Sequence, residues 1–494
     1  ESLASNARNN SAVSLKASIQ TRLGDFDGAL KTLNDLPVKD PLDYRTINEY
    51  YLILRESGEK AKALEVLNSL TKNMRDFDQN YLELAVNYIN DGFNEEAEEI
   101  LRRFNGSNPE IFYYLGYLAH KKGARDEALR YFKTAMELPV DYCFPFRLET
   151  VKILQTALQY QPEDNKAYYY LGNILYDKQP AKAIGYWEKS AELNPGLAIV
   201  HRNLGWGYYR HYGDGMKAIA SYEKAMSLEK NEPLYYEELD ALYEMSNAPV
   251  EKRLRLFEGS NDVVTRRDDA FARQITVLTL AGKPEKAVEY LEGKKFSYRE
   301  GSSRVRDIII DAHLMLGKKY FDSKEYNKAL EQFMLARIPE EEAGESRFGS
   351  RNIQVDYFTG LAYEALGNKS KAKAFFTKSA DQESRSISYI KYYQGLSLLK
   401  TGRNSQATET FNSMIKEGDR LIQQSRQAEA DFFAKFGERE AENARLSNAY
   451  LLKGLGYKGL GNKDLAKENL TKAVELSSAS LYAQSELQDL LGNK

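Results

Sequence analysis

Apolar and polar positions along this chain follow one recurring ruler. A small residue is followed by a second small residue twelve positions on, an aromatic or Leu four later, and a small or apolar residue three beyond that. It reads Gly116, Ala128, Phe132, Ala135; then Gly317, Ala329, Phe333, Ala336; Gly360, Ala372, Phe376, Ser379; Gly395, Ala407, Phe411, Met414; and Gly454, Ala466, Leu470, Ala473. Further glycines recur at Gly24, Gly58, Gly92, Gly123, Gly282, Gly367, Gly402 and Gly461, where a left-handed backbone most readily ends a helix. Two antiparallel helices approach closely only where small residues face each other, and the aromatic fills the space beside that contact. The pattern therefore predicts helix, turn, helix, repeated about twelve times in an all-α superhelix.

Departures from the ruler divide the chain. Early units keep Ala29 and Leu33, Ala63 and Leu67, and Ala97 and Leu101, without the aromatic. A unit around 239–257 has Asp240 where the small residue belongs and Arg253 where Ala belongs, which predicts a bend or an altered groove. One insertion, 139–164, holds Asp141-Tyr-Cys-Phe-Pro-Phe-Arg-Leu-Glu149 and then an extra helix over 150–160. A second, 415–445, has heptad-like apolar positions at Leu421, Ala428, Phe432, Phe436 and Ala441 and reads as a lengthened helix. Loops at 259–268, 296–304 and 340–352 segment the array, and a helix over 479–491 caps it. The expected organisation is repeat units over 1–138, the insertion 139–164, units over 165–258 with the last degenerate, units over 259–414, the insertion 415–445, and a last unit with its cap over 446–494.

Composition narrows the function. At 494 residues the chain exceeds what one hydrophobic core supports, so an elongated array is the natural solution. Its 69 Lys plus Arg against 72 Asp plus Glu leave no basic field for nucleic acid. No apolar run approaches the ~20 residues of a membrane span; the densest, Asp307-Ile-Ile-Ile-Asp311, is fenced by charge. Cys143 is the single cysteine, so neither an intramolecular disulfide nor a cysteine metal cluster can form.

Candidate chemistry is sparse. His120, His201, His211 and His313 are scattered and read as packing side chains, so no metal is expected. Gly454-Leu-Gly456-Tyr-Lys-Gly459-Leu-Gly461 superficially resembles a phosphate-binding loop but lacks the preceding strand. Carboxylate runs such as Glu95-Glu96 and Glu340-Glu-Glu342 read as solvated faces. With no catalytic constellation, neither an enzyme nor a cofactor is expected. Tyr142, Phe144, Phe146 and Arg147 crowd around Pro145, and two readings stay open: aromatics plugging the interior, or a contact surface for a partner.

Leu115-Gly116, Leu171-Gly172 and Leu204-Gly205, with Asn194-Pro195 closing a unit, resemble the tetratricopeptide repeat family. The resemblance implies a right-handed α-α superhelix whose partner is a protein or peptide, with the first helix of each pair lining the concave face. Residues three before and one after the repeat glycine then face the groove. In units four to six these are Tyr113 and Tyr117, Tyr169 and Asn173, and Arg202 and Trp206, with Tyr176 and Tyr209 a turn further on. Aromatics there suit peptides, an adjoining domain or sugars, but they equally suit packing between units. Some family members hold a terminal carboxylate with two Asn and several basic residues. Asn173 and Asn203 match the Asn positions and Arg202 adds charge, yet Tyr169 stands where a Lys is expected and Leu234 and Glu238 follow, so the clamp is incomplete.

Tyr142-Cys-Phe-Pro-Phe-Arg-Leu-Glu149, Tyr170-Leu-Gly-Asn-Ile-Leu-Tyr-Asp177, Trp187-Glu-Lys-Ser190 and Arg202-Asn-Leu-Gly205 are similar to the C-terminal half of a bacterial family with an N-terminal β-sandwich resembling galactose-mutarotase-like domains. Lys295-Phe-Ser-Tyr-Arg-Glu-Gly301 resembles a loop of that family, with Arg299 in place of a Trp. The resemblance implies that the chain is part of a longer protein, whose concave face holds the missing domain or a carbohydrate.

Overall fold

The computed structural model of the chain describes residues 9–33, 40–294, 296, 303–338, 350–384, 386–428 and 439–492. Among these residues the regular structure is helical, and the helices pair into hairpins. The first pairs are Asn10–Arg22 with Phe26–Leu33, Tyr44–Glu56 with Lys60–Met74, Asp78–Asn90 with Asn94–Arg102, and Pro109–Lys121 with Arg125–Glu137. After an additional helix, Leu148–Tyr160, comes Asn165–Leu175 with Pro180–Leu193. Next, Ala198–Gly207, prolonged by the π-helical turn Tyr208–Tyr212, pairs with Gly215–Leu228. Pro233–Met245 pairs with Val250–Leu256, Asp268–Leu280 with Pro284–Leu291, and Ser303–Asp322 with Tyr326–Leu335. Arg351–Ala365 with Lys369–Asp381, Ile390–Lys400 with Asn404–Ala428, and Arg439–Gly459 with Lys463–Leu476 complete the hairpins, and Leu481–Leu491 ends the chain's helices.

Two compact units divide the chain, Glu1–Val200 and His201–Lys494. The boundary falls inside a helix rather than at a loop. Of the loops expected to segment the array, 259–268 contains a short helix, Asn261–Val264, with Val264 buried. The other two, 296–304 and 340–352, lie largely outside the described residues, as do Glu340 to Glu342 and all of the 295–301 loop except Phe296.

The ruler's glycines turn out to be seats for rings. A Cβ on Gly116 would meet the Phe132 ring at 2.5 Å, and one on Gly360 the Phe376 ring at 2.6 Å. Gly317 and Gly395 stand in the same relation to Phe333 and Phe411, Gly172 to Trp187, and Gly205 to Tyr222. Each glycine thus faces the ring itself rather than the second small residue, because a ring seated on bare backbone brings the two helices together. All eight turn glycines have positive φ, from 68° at Gly282 to 90° at Gly58.

The glycine run of the last hairpin has a packing reason at each position. A Cβ on Gly454 would meet Leu470 at 2.7 Å, and one on Gly456 the Phe411 carbonyl oxygen at 2.8 Å; Gly459 lies against the Phe411 ring. The run is helical through Gly459 and ends at the left-handed Gly461. Its neighbourhood corrects the second insertion. The extra residues lengthen two adjacent helices, Asn404–Ala428 and Arg439–Gly459, instead of forming one. Gly418 permits their close crossing, since a Cβ there would meet Lys453 at 2.5 Å. Of the heptad-like positions Leu421 is half-buried; Phe432 and Phe436 lie outside the described residues, as do the side chains of Ala428 and Ala441.

In the degenerate hairpin the two misplaced residues pair with each other. Arg253 Nε and Nη2 donate to Asp240 Oδ1 and Oδ2, each at 2.8 Å, and both side chains are fully buried. Glu244 accepts a further bond from Arg253 at 3.0 Å, and Arg273 donates to both acids at 3.0 Å. A bidentate ion pair thus occupies the place of the repeat's two small residues. The turn of this hairpin, where Asn247 takes φ 54° without glycine's freedom, also closes the second unit on itself. Asn247 donates to the Glu475 carbonyl at 2.7 Å and accepts from the Ser478 amide at 2.6 Å. Ser478 Oγ donates to the Ala248 carbonyl at 2.9 Å.

Candidate functional site

In the first unit the irregular stretch before helix Leu148–Tyr160 alternates buried and exposed residues over 143–148, so successive side chains turn to opposite sides. Cys143, Pro145 and Arg147 turn inward. Cys143 Sγ lies 3.5 Å from Asn108 Oδ1, and burial pushes its thiol up to about 12, which leaves it inert as a nucleophile. Arg147 donates twice to Gln79 Oε1 at 3.2 Å, pairs with Glu83, and lies with its guanidinium 4.3 Å from the Phe146 ring centre. Tyr142, Phe144, Phe146 and Leu148 turn outward and are 89%, 66%, 63% and 75% exposed. The expectation of aromatics plugging the interior is therefore overturned: the residues that plug it are those between the aromatics. Arg147 correspondingly supports the surface from beneath, and Leu148, which the sequence reading passed over, joins it.

Beneath this segment Glu110 is buried, accepting from Thr150 Oγ1 at 3.1 Å. Burial pushes its carboxyl up to about 7, with the Thr150 hydrogen bond and the charge of Arg147 offsetting part of the shift.

Other groove candidates in the first unit are committed to packing. Tyr113 is fully buried and donates to Asp164 Oδ2 at 2.8 Å; burial and that carboxylate raise its hydroxyl far above the usual range. Tyr117 is buried with its ring stacked beside His120, and Tyr169 is buried against Tyr170. Asn173 accepts from Trp187 Nε1 at 3.0 Å, and Tyr176 stacks on the same indole at 5.1 Å. In the second unit, Arg202 is held in a two-point ion pair by Glu238, with Nε to Oε2 at 2.8 Å, and donates to Asn203 Oδ1 at 3.2 Å. The acid in the next hairpin is thus the Arg202 counter-ion, and a terminal carboxylate would have to displace it. Asn203 is buried, and Tyr209 is half-buried with its hydroxyl donating to Met245 Sδ at 3.2 Å. Trp206 remains 38% exposed, with the Arg202 and Arg210 guanidinium carbons 6.0 and 5.2 Å from its ring centre.

Sequence reading missed a cavity in the second unit. The same positions, three before and one after the repeat glycine, fall in the later hairpins at the buried Leu314, Leu451 and Leu455 and at five others, Lys318, Tyr357, Leu361, Tyr392 and Leu396. All five, with Lys458, line a cavity of about 320 Å³. The spacing rule that picked out units four to six would have found them. What it could not show is that helix Leu481–Leu491 lies along this wall, with Glu486 and Asp489 reaching the cavity.

Residues 447–480 match the family model of the tetratricopeptide repeat. The matched repeat lies in an array of helix hairpins of the same kind. Over 126 residues, 25% of this chain, it is 29% identical to the TPR repeat-containing protein YpiA of Bacillus subtilis (strain 168), and the match spans 30% of that relative's length. Among solved structures it is similar to the TPR domain of P58(IPK), at 14% identity over 91% of this chain and 98% of that one, with a TM-score of 0.24. The C-terminal part of a TPR repeat-containing protein from Cytophaga hutchinsonii is similar at 20% identity, over 60% and 94% of the two chains, with a TM-score of 0.23. Among the described residues no helix is long and apolar enough to cross a membrane.

Proposed function

We propose that the chain is a non-catalytic scaffold that binds another polypeptide, and that residues 142–148 of the first unit form a contact surface for it. One observation carries this reading: Tyr142, Phe144, Phe146 and Leu148 stand exposed in a row on a backbone anchored from below by Arg147 and Cys143. Large apolar side chains clustered on a polar surface mark association sites, and rigid aromatic anchors supply most of the binding energy at such sites. The partner is a separate protein or, as the sequence resemblance implies, a β-sandwich domain of a longer chain. Concave-face binding in the second unit keeps Trp206 as its anchor, beside Arg202 and Arg210.

Quantitative partner recovery from the source cells separates these surfaces. The Tyr142→Ser, Phe144→Ser, Phe146→Ser variant is expected to lose a partner that wild type enriches, while Arg202→Glu with Trp206→Ala retains it. Equal recovery by wild type and the triple variant would exclude the 142–148 surface. A carbohydrate ligand is the second reading, favoured by the exposed Trp206 ring, which suits stacking on a sugar. A glycan array on which wild type and Trp206→Ala behave alike removes it.

A further inference from the structure

Helix Leu481–Leu491 makes more contacts than a cap requires. To close the array it need only cover the last hairpin, yet its side chains are fixed by the first helices of four successive hairpins. Tyr482 Oη donates to Asp311 and accepts from Arg351 Nη2 at 2.9 Å, while its ring stacks on Tyr389 with centres 4.4 Å apart. Glu486, 3% exposed, accepts from Tyr393 Oη at 2.9 Å and from Lys458 Nζ at 2.7 Å. Lys318 Nζ lies 3.8 Å from the same carboxylate, and donates to Ser485 Oγ at 2.6 Å and Asp489 Oδ2 at 3.0 Å. Burial alone would raise the Glu486 carboxyl, but the two lysines and the Tyr393 hydroxyl hold it below the usual range.

These contacts have the character of ligand recognition. Lys318 and Lys458 line the cavity beside the helix and grip its Glu486 carboxylate, next to an apolar stripe of Ala483, Leu487 and Leu490 that packs on the core. The cavity of about 320 Å³ beside the helix shows that its occupant does not fill the groove. The helix's C-terminal end, Gln488, Asp489, Leu491 and Gly492, is exposed, and a short non-helical link at 477–480 ties it to the hairpin before it.

We propose that Leu481–Leu491 is an internal ligand, and that the groove it partly occupies is a second binding site, distinct from the 142–148 surface, for a partner's acidic amphipathic helix. The chemistry that fits is Tyr at one position, Glu four later and Asp three beyond that, as in Tyr482, Glu486 and Asp489. Such a helix binds in place of the chain's own, so the free chain is self-blocked. Its apparent affinity is lowered by the fraction of molecules in which the groove is closed.

The test uses the full chain and a fluorescent synthetic peptide of residues 478–492, read by anisotropy. Glu486→Lys sets a cation against Lys318 and Lys458 and is expected to release the internal helix, so that this variant binds the peptide at least tenfold more tightly than wild type. A peptide carrying the same Glu-to-Lys change is expected not to bind. Equal binding by the folded variant and wild type would overturn the proposal. Hydrogen exchange of wild type decides it independently should the variant fail to fold. Amides of 481–491 are expected to exchange by local opening, well before those of Ile390–Lys400 and Arg439–Gly459. Exchange of all three only through a common unfolding would mark the helix as a fixed cap and overturn the proposal.

Discussion

Glu110, beneath the 142–148 segment of the first unit, and Glu486, within Leu481–Leu491 of the second, are both buried glutamates, and their carboxyls shift in opposite directions. Glu486 has two lysines and a tyrosine hydroxyl, so it stays charged and anchors its own helix to the hairpins beneath. Glu110 has a threonine hydroxyl and the more distant charge of Arg147, so burial dominates and its carboxyl rises to about 7. The segments differ in the same sense. Leu481–Leu491 turns its recognition side chains into its own unit, whereas 142–148 turns its aromatics outward. Of the two segments that break the repeat, one is thus satisfied within its unit and the other leaves its aromatics exposed.

The largest expected effect is at the satisfied segment. Glu486→Ala removes the carboxylate that Lys318 and Lys458 share and is expected to cost about 3 kcal/mol locally. Repeat arrays do not unfold as one two-state unit, so the readout is lost hydrogen-exchange protection across 481–491 with the first unit unaffected. Unchanged protection would make the clamp incidental.

Glu110 gives the contrasting pH signature. Its folded pKa lies above the unfolded value of 4.5, so the folded state binds more protons than the unfolded state between these values. Stability therefore falls as pH rises from about 4.5 through about 7, by about 3 kcal/mol in total. Glu110→Gln lacks that loss and is expected to stabilise the first unit at pH 8 relative to its effect at pH 5, measured by urea unfolding at both. Glu486 has the opposite sign: its contribution is present at neutral pH and is lost as pH falls through its depressed pKa.

At the open segment the stability effect is expected to be small. Phe144→Ser with Phe146→Ser removes exposed side chains and should change stability by no more than about 0.5 kcal/mol, while partner recovery falls at least tenfold. A destabilisation of several kcal/mol would mean that these rings pack after all. Trp206→Ala is expected to change least, leaving thermal stability unaltered and removing the solvent-exposed component of tryptophan emission, since Trp187 is buried.

The hairpins were legible because their signal is local. A glycine and the ring that sits on it are sixteen residues apart at Gly116 and Phe132, and the turn glycine lies between them. Asp240 and Arg253 were legible as departures but not as partners, because two wrong residues become one buried ion pair only when folding removes the water between them. The outward aromatics had a readable cue in the alternation Tyr-Cys-Phe-Pro-Phe-Arg-Leu, which is a period of two in an otherwise helical chain. Placement of Leu481–Leu491 was not readable. It depends on Lys318 and Arg351, which stand far from the helix in sequence and meet it only in the folded second unit.

The most direct test of the scaffold reading is photo-cross-linking from position 144. With p-benzoylphenylalanine in place of Phe144, in the otherwise native chain in its source cells, illumination is expected to give a discrete adduct with one polypeptide. The adduct should vanish when Tyr142 and Phe146 are changed to Ser. Illumination that yields no adduct above that from an exposed control position such as Met216 would contradict the account.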